Sequence, residues 1–179
     1  DNHQAGIFAV NAKNTLVDTC EIRRTTGSSN AQFYRSTQTT FSGNWIHDNT
    51  GWHAIFMDNS PRTKIRDNSF ERNFKNHISL YLACDTSAVE NNTADSTTNN
   101  NGMSVDSGSN IVFRSNTINR SGWNGIGIWG GDSILVVDNT IDSSRYGVYV
   151  ESTLRSSISD NRIVNSKIYG VWLDFSSNG

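Results

Sequence analysis

An asparagine-centred repeat runs through the sequence and limits the possible folds more than any other feature. Similar tripeptides have an asparagine at their centre at Asn44, Asn68, Asn92, Asn116, Asn139 and Asn161. The spacing between successive asparagines is 24, 24, 24, 23 and then 22. One period before Asn44 the equivalent slot holds Cys20, which we expect to mark the end of the series. A period of this length indicates similar units that stack on one another.

Each repeat holds three short segments in which apolar and polar residues alternate. Three positions before the asparagine slot stand Val17, Phe41, Ile65, Val89, Phe113, Val136 and Ile158, and two positions after it stand Ile22, Ile46, Phe70, Ala94, Ile118, Ile141 and Ile163. A third segment begins fourteen positions before the slot, as in Gly125-Ile-Gly-Ile. Such alternation is typical of strands with one buried face. A β-sandwich would not keep a fixed ladder of this spacing.

We therefore predict an all-β fold, a right-handed, three-faced parallel β-helix. It would have about seven to eight coils, with three short strands in each 22–24-residue coil. The asparagines would form a structural ladder, because Asn tolerates the left-handed conformation of tight bends and its amide can bond the next coil. In coil four, Ile78, Leu80 and Leu82 point inward in the register that buries most apolar surface, and Tyr81 then points outward. A strict 24-residue register would instead expose Leu80 and Leu82.

Composition and charge exclude several classes of function. Asn, Ser, Thr and Gly account for 77 of the 179 residues, and the formal net charge is −2. A nucleic-acid interface would need clustered Lys and Arg, so no nucleic-acid partner is expected. No apolar run approaches the length of a membrane span, so none is expected. The four histidines share no tight spacing, so we expect neither a metal site nor a cofactor, although a calcium ion would be chemically compatible with paired acids.

The repeat has a recognisable form in Gly102 to Ile118 and in Gly125 to Ile141, where it reads Gly-h-x-h, then a polar residue before an apolar one (Asn110-Ile111 or Ser133-Ile134), then Asn-Thr-Ile. This pattern resembles the parallel β-helix repeats of the pectate-lyase-like superfamily. That superfamily includes polysaccharide lyases, glycoside hydrolases, mannuronan epimerases and NosD-type proteins. The resemblance implies the fold over nearly the whole chain and says little about activity. The Asn-Thr-Asp, Asp-Asp and Gly-His-Gly motifs of polygalacturonases and the Asp-Pro-His-Glu motif of alginate epimerases are missing.

The resemblance also implies that an extended sugar chain binds on the outward face of the first strand of each coil. Alternation predicts two outward columns on this face. The first column reads Phe8, Phe56, Ser104, Gly127, Tyr149 and Trp172. The second column reads Asp58, Tyr81, Asp106, Trp129, Glu151 and Asp174. Tyr81, Trp129, Tyr149 and Trp172 are the candidate sugar platforms, because aromatic rings stack on the apolar face of a pyranose. Favourable cross-strand packing is the alternative explanation for these rings.

Paired acids on the same face are the candidate catalytic groups. Asp58 and Asp106 lie two coils apart, about 9–10 Å between backbones. This suits the acid and base of an inverting glycosidase, whose carboxyls are roughly 6.5–9.5 Å apart. Glu151 and Asp174 lie one coil apart, which suits substrate binding, a retaining pair or a cation. Solvated surface acids are the alternative.

Two histidines precede the strands of coils three and four, and are candidates for substrate contacts at the rim. His53 and His77 would flank Asp58 and Tyr81, and with Tyr81 they would be the proton-transfer groups of a lyase or epimerase if the substrate were a uronate. Ordinary surface histidines are the alternative.

These observations lead to two hypotheses about function. The first is a polysaccharide-degrading enzyme, hydrolase or lyase, whose partner is an extended polysaccharide. The second is a non-catalytic cell-surface or structural module that binds glycan or packs against partner domains. We expect residues 1–179 to form one domain that is a segment of a longer protein, with a capping domain or subunit at the solenoid ends. The composition suggests an extracellular or cell-surface location.

Overall fold

The computed structural model describes residues 5–174, and all regular secondary structure in that range is β-strand. Twenty-two strands form three parallel sheets around about seven turns, with three strands in each complete coil. The predicted three-faced parallel β-helix is confirmed. Sheet A contains eight strands, and sheets B and C contain seven each.

The strand bounds follow the repeat. Sheet A consists of β1 (Ile7–Val10), β4 (Ser29–Tyr34), β7 (His53–Asp58), β10 (Asn76–Tyr81), β13 (Met103–Asp106), β16 (Asn124–Trp129), β19 (Tyr146–Glu151) and β22 (Tyr169–Asp174). Sheet B consists of β2 (Leu16–Asp18), β5 (Thr40–Ser42), β8 (Lys64–Arg66), β11 (Ala88–Glu90), β14 (Val112–Arg114), β17 (Leu135–Val137) and β20 (Ser157–Ser159). Sheet C consists of β3 (Glu21–Arg23), β6 (Trp45–His47), β9 (Ser69–Asn73), β12 (Thr93–Thr97), β15 (Thr117–Ser121), β18 (Thr140–Asp142) and β21 (Arg162–Val164).

The core is a stack of inward side chains, each paired with its equivalent one coil away. Phe41 of sheet B, for example, lies between Val17 and Ile65 in the strand register. Ile46 of sheet C lies in the same way between Ile22 and Phe70. Both central residues are fully buried. Three narrow strands thus enclose one continuous apolar column, which no single coil could bury alone.

The predicted asparagine ladder occupies the bend between sheets B and C. The Asn68 side-chain amide donates to Asn92 Oδ1 at 2.9 Å, and its backbone N–H donates to the same oxygen at 3.1 Å. At the end of the series, the Cys20 backbone N–H donates to Asn44 Oδ1 at 2.9 Å, as expected for a position without the amide. The left-handed residue is not the asparagine but the one before it, such as Asp67 with φ 58°. The asparagine therefore serves the bend through its side chain.

A second asparagine pair, which was not predicted from the repeat, lies at the bend between sheets C and A. The Asn49 amide donates to Asn73 Oδ1 at 2.7 Å, and Asn49 Oδ1 accepts the Thr25 backbone N–H at 2.9 Å. The 24-residue offset between Asn49 and Asn73 was the available signal. These buried amides fix the bend that leads into sheet A.

The predicted register of coil four is confirmed within strand β10, but the predicted inward position of Leu82, which follows the strand, is wrong. Ile78 and Leu80 are buried, and Tyr81 points outward. Leu82, expected inside, is 45% exposed. The reason is that β10 ends at Tyr81 and Leu82 adopts a left-handed φ of 44°, which turns its side chain out of the sheet alternation.

Candidate functional site

The outward face of sheet A carries the candidate site residues in the predicted order. Strand pairing places Tyr81 between Asp58 and Asp106, and Trp129 between Asp106 and Glu151. Tyr34 pairs with Asp58 at the start of the series, and Asp174 pairs with Glu151 at its end. We call the six successive residues Tyr34, Asp58, Tyr81, Asp106, Trp129 and Glu151 the acid–aromatic row.

The neighbouring outward column is large at both ends and small in the middle. It reads Phe8, Gln32, Phe56, Ser79, Ser104, Gly127, Tyr149 and Trp172 in strand order. The indole of Trp129 lies over Gly127, since a Cβ added to that glycine would come within 2.4 Å of the ring. Aromatic rings therefore form two groups on the face, separated by the small side chains of Ser79 and Ser104.

An open cleft of about 390 Å³ lies over the first group of rings. We call it the aromatic cleft; its lining residues are Ser28, Ser29, Gln32, Tyr34, Trp52, His53, Phe56, Ser79 and Tyr81. Phe56 is its centre, with ring centroids 5.9 Å from those of Tyr34 and Tyr81 and 5.2 Å from that of His53. An apolar floor with a few polar groups at its edge is the usual character of a small-molecule site.

His53 lies in the aromatic cleft, where its ring stacks on Phe56. Its Nδ1 atom is buried and has no hydrogen-bond partner among the described residues. Burial, together with the nearby Lys75 ammonium, lowers the pKa of His53 to about 4. The imidazole is therefore neutral at pH 7, and a bound ligand could hydrogen-bond to it.

The expected rim position of His77 is wrong, because this side chain is fully buried inside the solenoid. His53 pairs with Asn76, so the offset between these two strands is one position shorter than the 24-residue repeat. A slip of one residue moves a side chain to the opposite face of a strand. Inside, His77 Nδ1 lies 3.1 Å from the Asn73 amide, and burial lowers the pKa of His77 to about 3. Its role in binding or proton transfer at the outer face is excluded by this position.

A second group of rings occupies the other end of the face. Tyr149 lies 5.6 Å from Trp129, and Tyr146 contacts Tyr149, Tyr169 and Trp172 at centroid distances of 5.9, 6.2 and 6.0 Å. The predicted platforms Trp129, Tyr149 and Trp172 are thus brought together, and Tyr81 belongs to the other group.

Tyr149 is tied to the acid–aromatic row by a hydrogen bond. Its hydroxyl donates to Glu151 Oε2 at 2.9 Å. Burial raises the pKa of Tyr149 to about 12, and the Glu151 carboxylate that accepts its hydrogen bond adds to the shift. The hydroxyl therefore stays protonated at neutral pH and orients this carboxylate.

The candidate acids lie at the ends of the strands, beside the rings. Asp58 and Asp106 are separated by the one intervening strand β10, which is about 10 Å between backbones. Neither of them lines the aromatic cleft, although both pair with Tyr81, which does. Glu151 and Asp174 are direct neighbours on adjacent strands.

The described part of the chain holds neither a cluster of metal ligands nor a membrane-spanning helix. Within residues 5–174, no three His, Cys, Asp or Glu side chains converge as a metal site would require. In the same range, no helix is long and apolar enough to span a membrane.

Seven of the nine residues that line the cleft were not among the candidate site residues, and of these seven only Phe56 stood in a predicted outward column. Tyr34 could have been found from its 24-residue offset to Asp58. Gln32 and Trp52 gave weaker signals: Gln32 interrupts an aromatic column, and Trp52 precedes its strand. Trp52 is 60% exposed, and the Lys75 ammonium lies 3.9 Å from its ring centroid.

The fold and its aromatic strand face define a parallel β-helix protein with an exposed, ring-lined sheet. The chain belongs to the family described as right handed beta helix region, whose model matches residues 1–94 and 88–179. This confirms the predicted family resemblance and the right-handed coil.

A solved structure has the same fold. It is the crystal structure of the catalytic unit of a thermostable GH87 alpha-1,3-glucanase from Streptomyces thermodiastaticus strain HF3-3. The similarity has a TM-score of 0.63 at 13% identity, and it covers 93% of this chain and 46% of that chain. The chain thus spans less than half the length of that glucanase unit. No curated protein matches the chain significantly by sequence.

Proposed function

We propose that this protein is a carbohydrate-active β-helix that binds an extended polysaccharide along the outward face of sheet A. The observation that carries the proposal is the aromatic cleft, in which Phe56 is flanked by Tyr34 and Tyr81. Rings of this kind pack against the apolar faces of pyranoses, and polar groups at the edge bond their hydroxyls. The structural similarity to a glucanase unit supports a glycan ligand.

We further propose that the bound glycan is hydrolysed by Asp58 and Asp106. In an inverting mechanism one carboxylic acid protonates the leaving oxygen, and the other carboxylate activates a water on the opposite side of the sugar. Two strand spacings leave room for that water once the side chains lean toward each other. Tyr81, which lies between the two acids, would hold the sugar ring at the scissile bond.

The non-catalytic module remains the second candidate, because the cleft lining includes neither Asp58 nor Asp106. The lyase or epimerase hypothesis has less support. Those reactions need a cation for the uronate carboxylate, yet none of the eight strands of sheet A contains Lys or Arg. An extracellular or cell-surface location is part of the proposal, since extended polysaccharides are found there.

A degradation screen distinguishes the two candidates. The protein and its Asp58→Asn and Asp106→Asn variants are incubated with a panel of polysaccharides, and released sugars are measured. Asp138→Asn is the matched control, because Asp138 is exposed at a bend after sheet B. We expect the wild type and the control to release product and either test variant to lose about 100-fold or more in rate. Product release that survives both substitutions would exclude this pair. Retention on a glycan gel without product from any form would favour the binding module.

A further inference from the structure

The acid–aromatic row alternates strictly between rings and carboxylates along the solenoid. Asp58 lies between Tyr34 and Tyr81, Asp106 between Tyr81 and Trp129, and Glu151 follows Trp129. Each carboxylate is thus next to at least one aromatic ring on an adjacent strand, and acids recur at every second strand, about 10 Å apart.

Several carboxylates on the other sides of the solenoid form ion pairs with arginine. There, an arginine one coil away neutralises some of the acids, as Arg72 does for Asp48 at 2.6 Å and Arg114 for Glu90 at 3.7 Å. Arg120 pairs with Asp95 in the same way. Within residues 5–174, four of the twelve acids outside sheet A are paired with an arginine across coils in this way, whereas no acid of the row is.

The acids of the row have no such partners. Within residues 5–174, Asp58, Asp106 and Glu151 make no ion pair, and the eight strands of sheet A contain no Lys or Arg. Because its pKa is about 4, His53 adds no positive charge to the face at pH 7. The sheet A face therefore carries negative charge and exposed π-systems together.

Both features attract the same chemical group. An ammonium is bound by a carboxylate through charge-assisted hydrogen bonds and by an aromatic face through cation–π attraction. We propose that the glycan recognised by sheet A is a polymer of amino sugars, whose protonated amines contact the carboxylates of the acid–aromatic row while its sugar rings pack on Tyr34, Tyr81 and Trp129. The inference rests on the glycan binding of the proposed function and names its substrate class; it takes Asp58 and Asp106 as binding carboxylates and does not depend on their role in hydrolysis.

The repetition of the row suits a polymer. A chain that runs across the strands meets a carboxylate at every second strand, so several amines of one molecule bind at once, and the contacts reinforce one another. A uronate or sulfated chain would place its anions beside the same acids, and the strands of sheet A offer no cation to receive them; the exposed Arg35, which follows Tyr34, is a basic residue at this edge. Lys75 and Arg145 lie at the opposite edge of the sheet, each stacked on a tryptophan, and a strand length of about 17 Å separates them from the row.

Calorimetric titration with matched oligosaccharides tests the inference. The probes are a β-1,4-linked glucosamine oligomer, its fully N-acetylated counterpart, a neutral glucan oligomer and an oligogalacturonate, all of one length. At pH 6, we expect the free amine to bind about tenfold tighter than its acetylated counterpart, or more, which is the effect of at least one charge-assisted hydrogen bond. This preference should weaken as salt is raised.

Variants locate the effect. The double variant Asp58→Asn, Asp106→Asn should lose most of the preference for the free amine while it still binds the acetylated oligomer, and Asp138→Asn should keep the preference. Circular dichroism and a thermal melt on each variant exclude unfolding as the cause. An oligolysine of similar charge is the control for a basic peptide ligand.

The outcomes separate this inference from the proposed function. A neutral oligomer that binds as tightly as the glucosamine oligomer, or tighter, would overturn the amino-sugar assignment and leave glycan binding intact. Oligolysine binding that is equally tight and equally sensitive to the double variant would overturn it as well. If no oligosaccharide of any charge binds, the proposed function itself is wrong.

Discussion

Phe56 and Tyr81 lie on neighbouring parallel strands with their rings stacked, 5.9 Å between centroids and 29° between planes. Neither ring contributes to the apolar column inside the solenoid, because both point outward from sheet A. Together with Tyr34 and His53 they form the floor of the aromatic cleft. The proposed function depends on this arrangement.

Removal of either ring should weaken glycan binding. We expect Phe56→Ala and Tyr81→Ala each to lower affinity for the bound glycan by about tenfold, because a ring that packs against ligand contributes roughly 1–3 kcal/mol. Phe74→Ala is the matched control, since Phe74 is 40% exposed at a bend outside the cleft. Equilibrium titration of the three variants measures the effect. Equal affinity of the test variants and the control would mean that the glycan binds elsewhere.

The buried His77 should make the protein less stable in mild acid. Its pKa is about 3 in the folded protein and about 6.5 when unfolded, so below pH 6.5 the unfolded state binds the extra proton. Stability from this group is complete above pH 6.5 and is lost as the pH falls toward 3, by about 2 kcal/mol between pH 7 and pH 5.

The variant that tests this is His77→Ala, since Ala54 occupies the equivalent position one coil earlier. Urea unfolding at pH 7 and pH 5 should show a stability loss about 2 kcal/mol smaller in the variant than in the wild type. His53, whose pKa is also lowered, keeps its own contribution in both proteins. An unchanged pH dependence would show that His77 is not held neutral.

The centre of the asparagine ladder should be more sensitive than its end. Asn92 is buried; it donates to Ile65 O at 2.9 Å and accepts the Asn68 amide and backbone N–H. Asn92→Ala leaves these groups without partners, and we expect a loss of about 3–5 kcal/mol in unfolding free energy. Asn161→Ala, at a partly buried position, should cost less. Urea denaturation compares them, and a loss below about 1 kcal/mol at Asn92 would contradict a structural ladder.

A glycine column at the entrance of sheet A should not accept a methyl group. A Cβ on Gly125 would lie 2.4 Å from Ile141 Cγ2 and 2.6 Å from the Gly147 carbonyl oxygen. The Gly147 backbone is fixed in the sheet and cannot easily move away from the added methyl group. Gly125→Ala should therefore destabilise the protein by about 1–3 kcal/mol. Thermal melts measure this, and Gly170→Ala, whose nearest contact would be 3.8 Å, is the control. Equal melting temperatures for the two variants would be the contrary result.

Period and alternation in the sequence were sufficient to predict most of the fold. The inward residues of sheets B and C and the outward order from Asp58 to Asp174 are confirmed, because a stack of similar coils transmits one register along its length. Errors occurred where one coil departs from the regular repeat. His77 lies inside because its strand is offset by one position less than the usual period, and Leu82 lies outside at a left-handed bend.

The aromatic cleft itself could not be predicted, because it depends on how side chains from three coils stack. Tyr34, Phe56 and Tyr81 come from three successive coils, and only their rotamers bring neighbouring ring centroids to 5.9 Å. Trp52 and its partner Lys75 directly precede strands β7 and β10, where the alternation of a strand does not predict which way a side chain points. The alternation of acids and rings on successive strands, and the lack of Lys and Arg in those strands, were visible in the sequence, but which acids elsewhere pair with an arginine across coils was not.

A crystal structure of the protein with the oligosaccharide selected by the binding screen tests the central claim most directly. We predict sugar density on the outward face of sheet A, with one ring packed in the aromatic cleft against Phe56 and Tyr81. The chain should continue across the strands toward Asp106 and Trp129. Sugar bound on sheet B or sheet C, with the aromatic cleft empty, would contradict the proposed binding face.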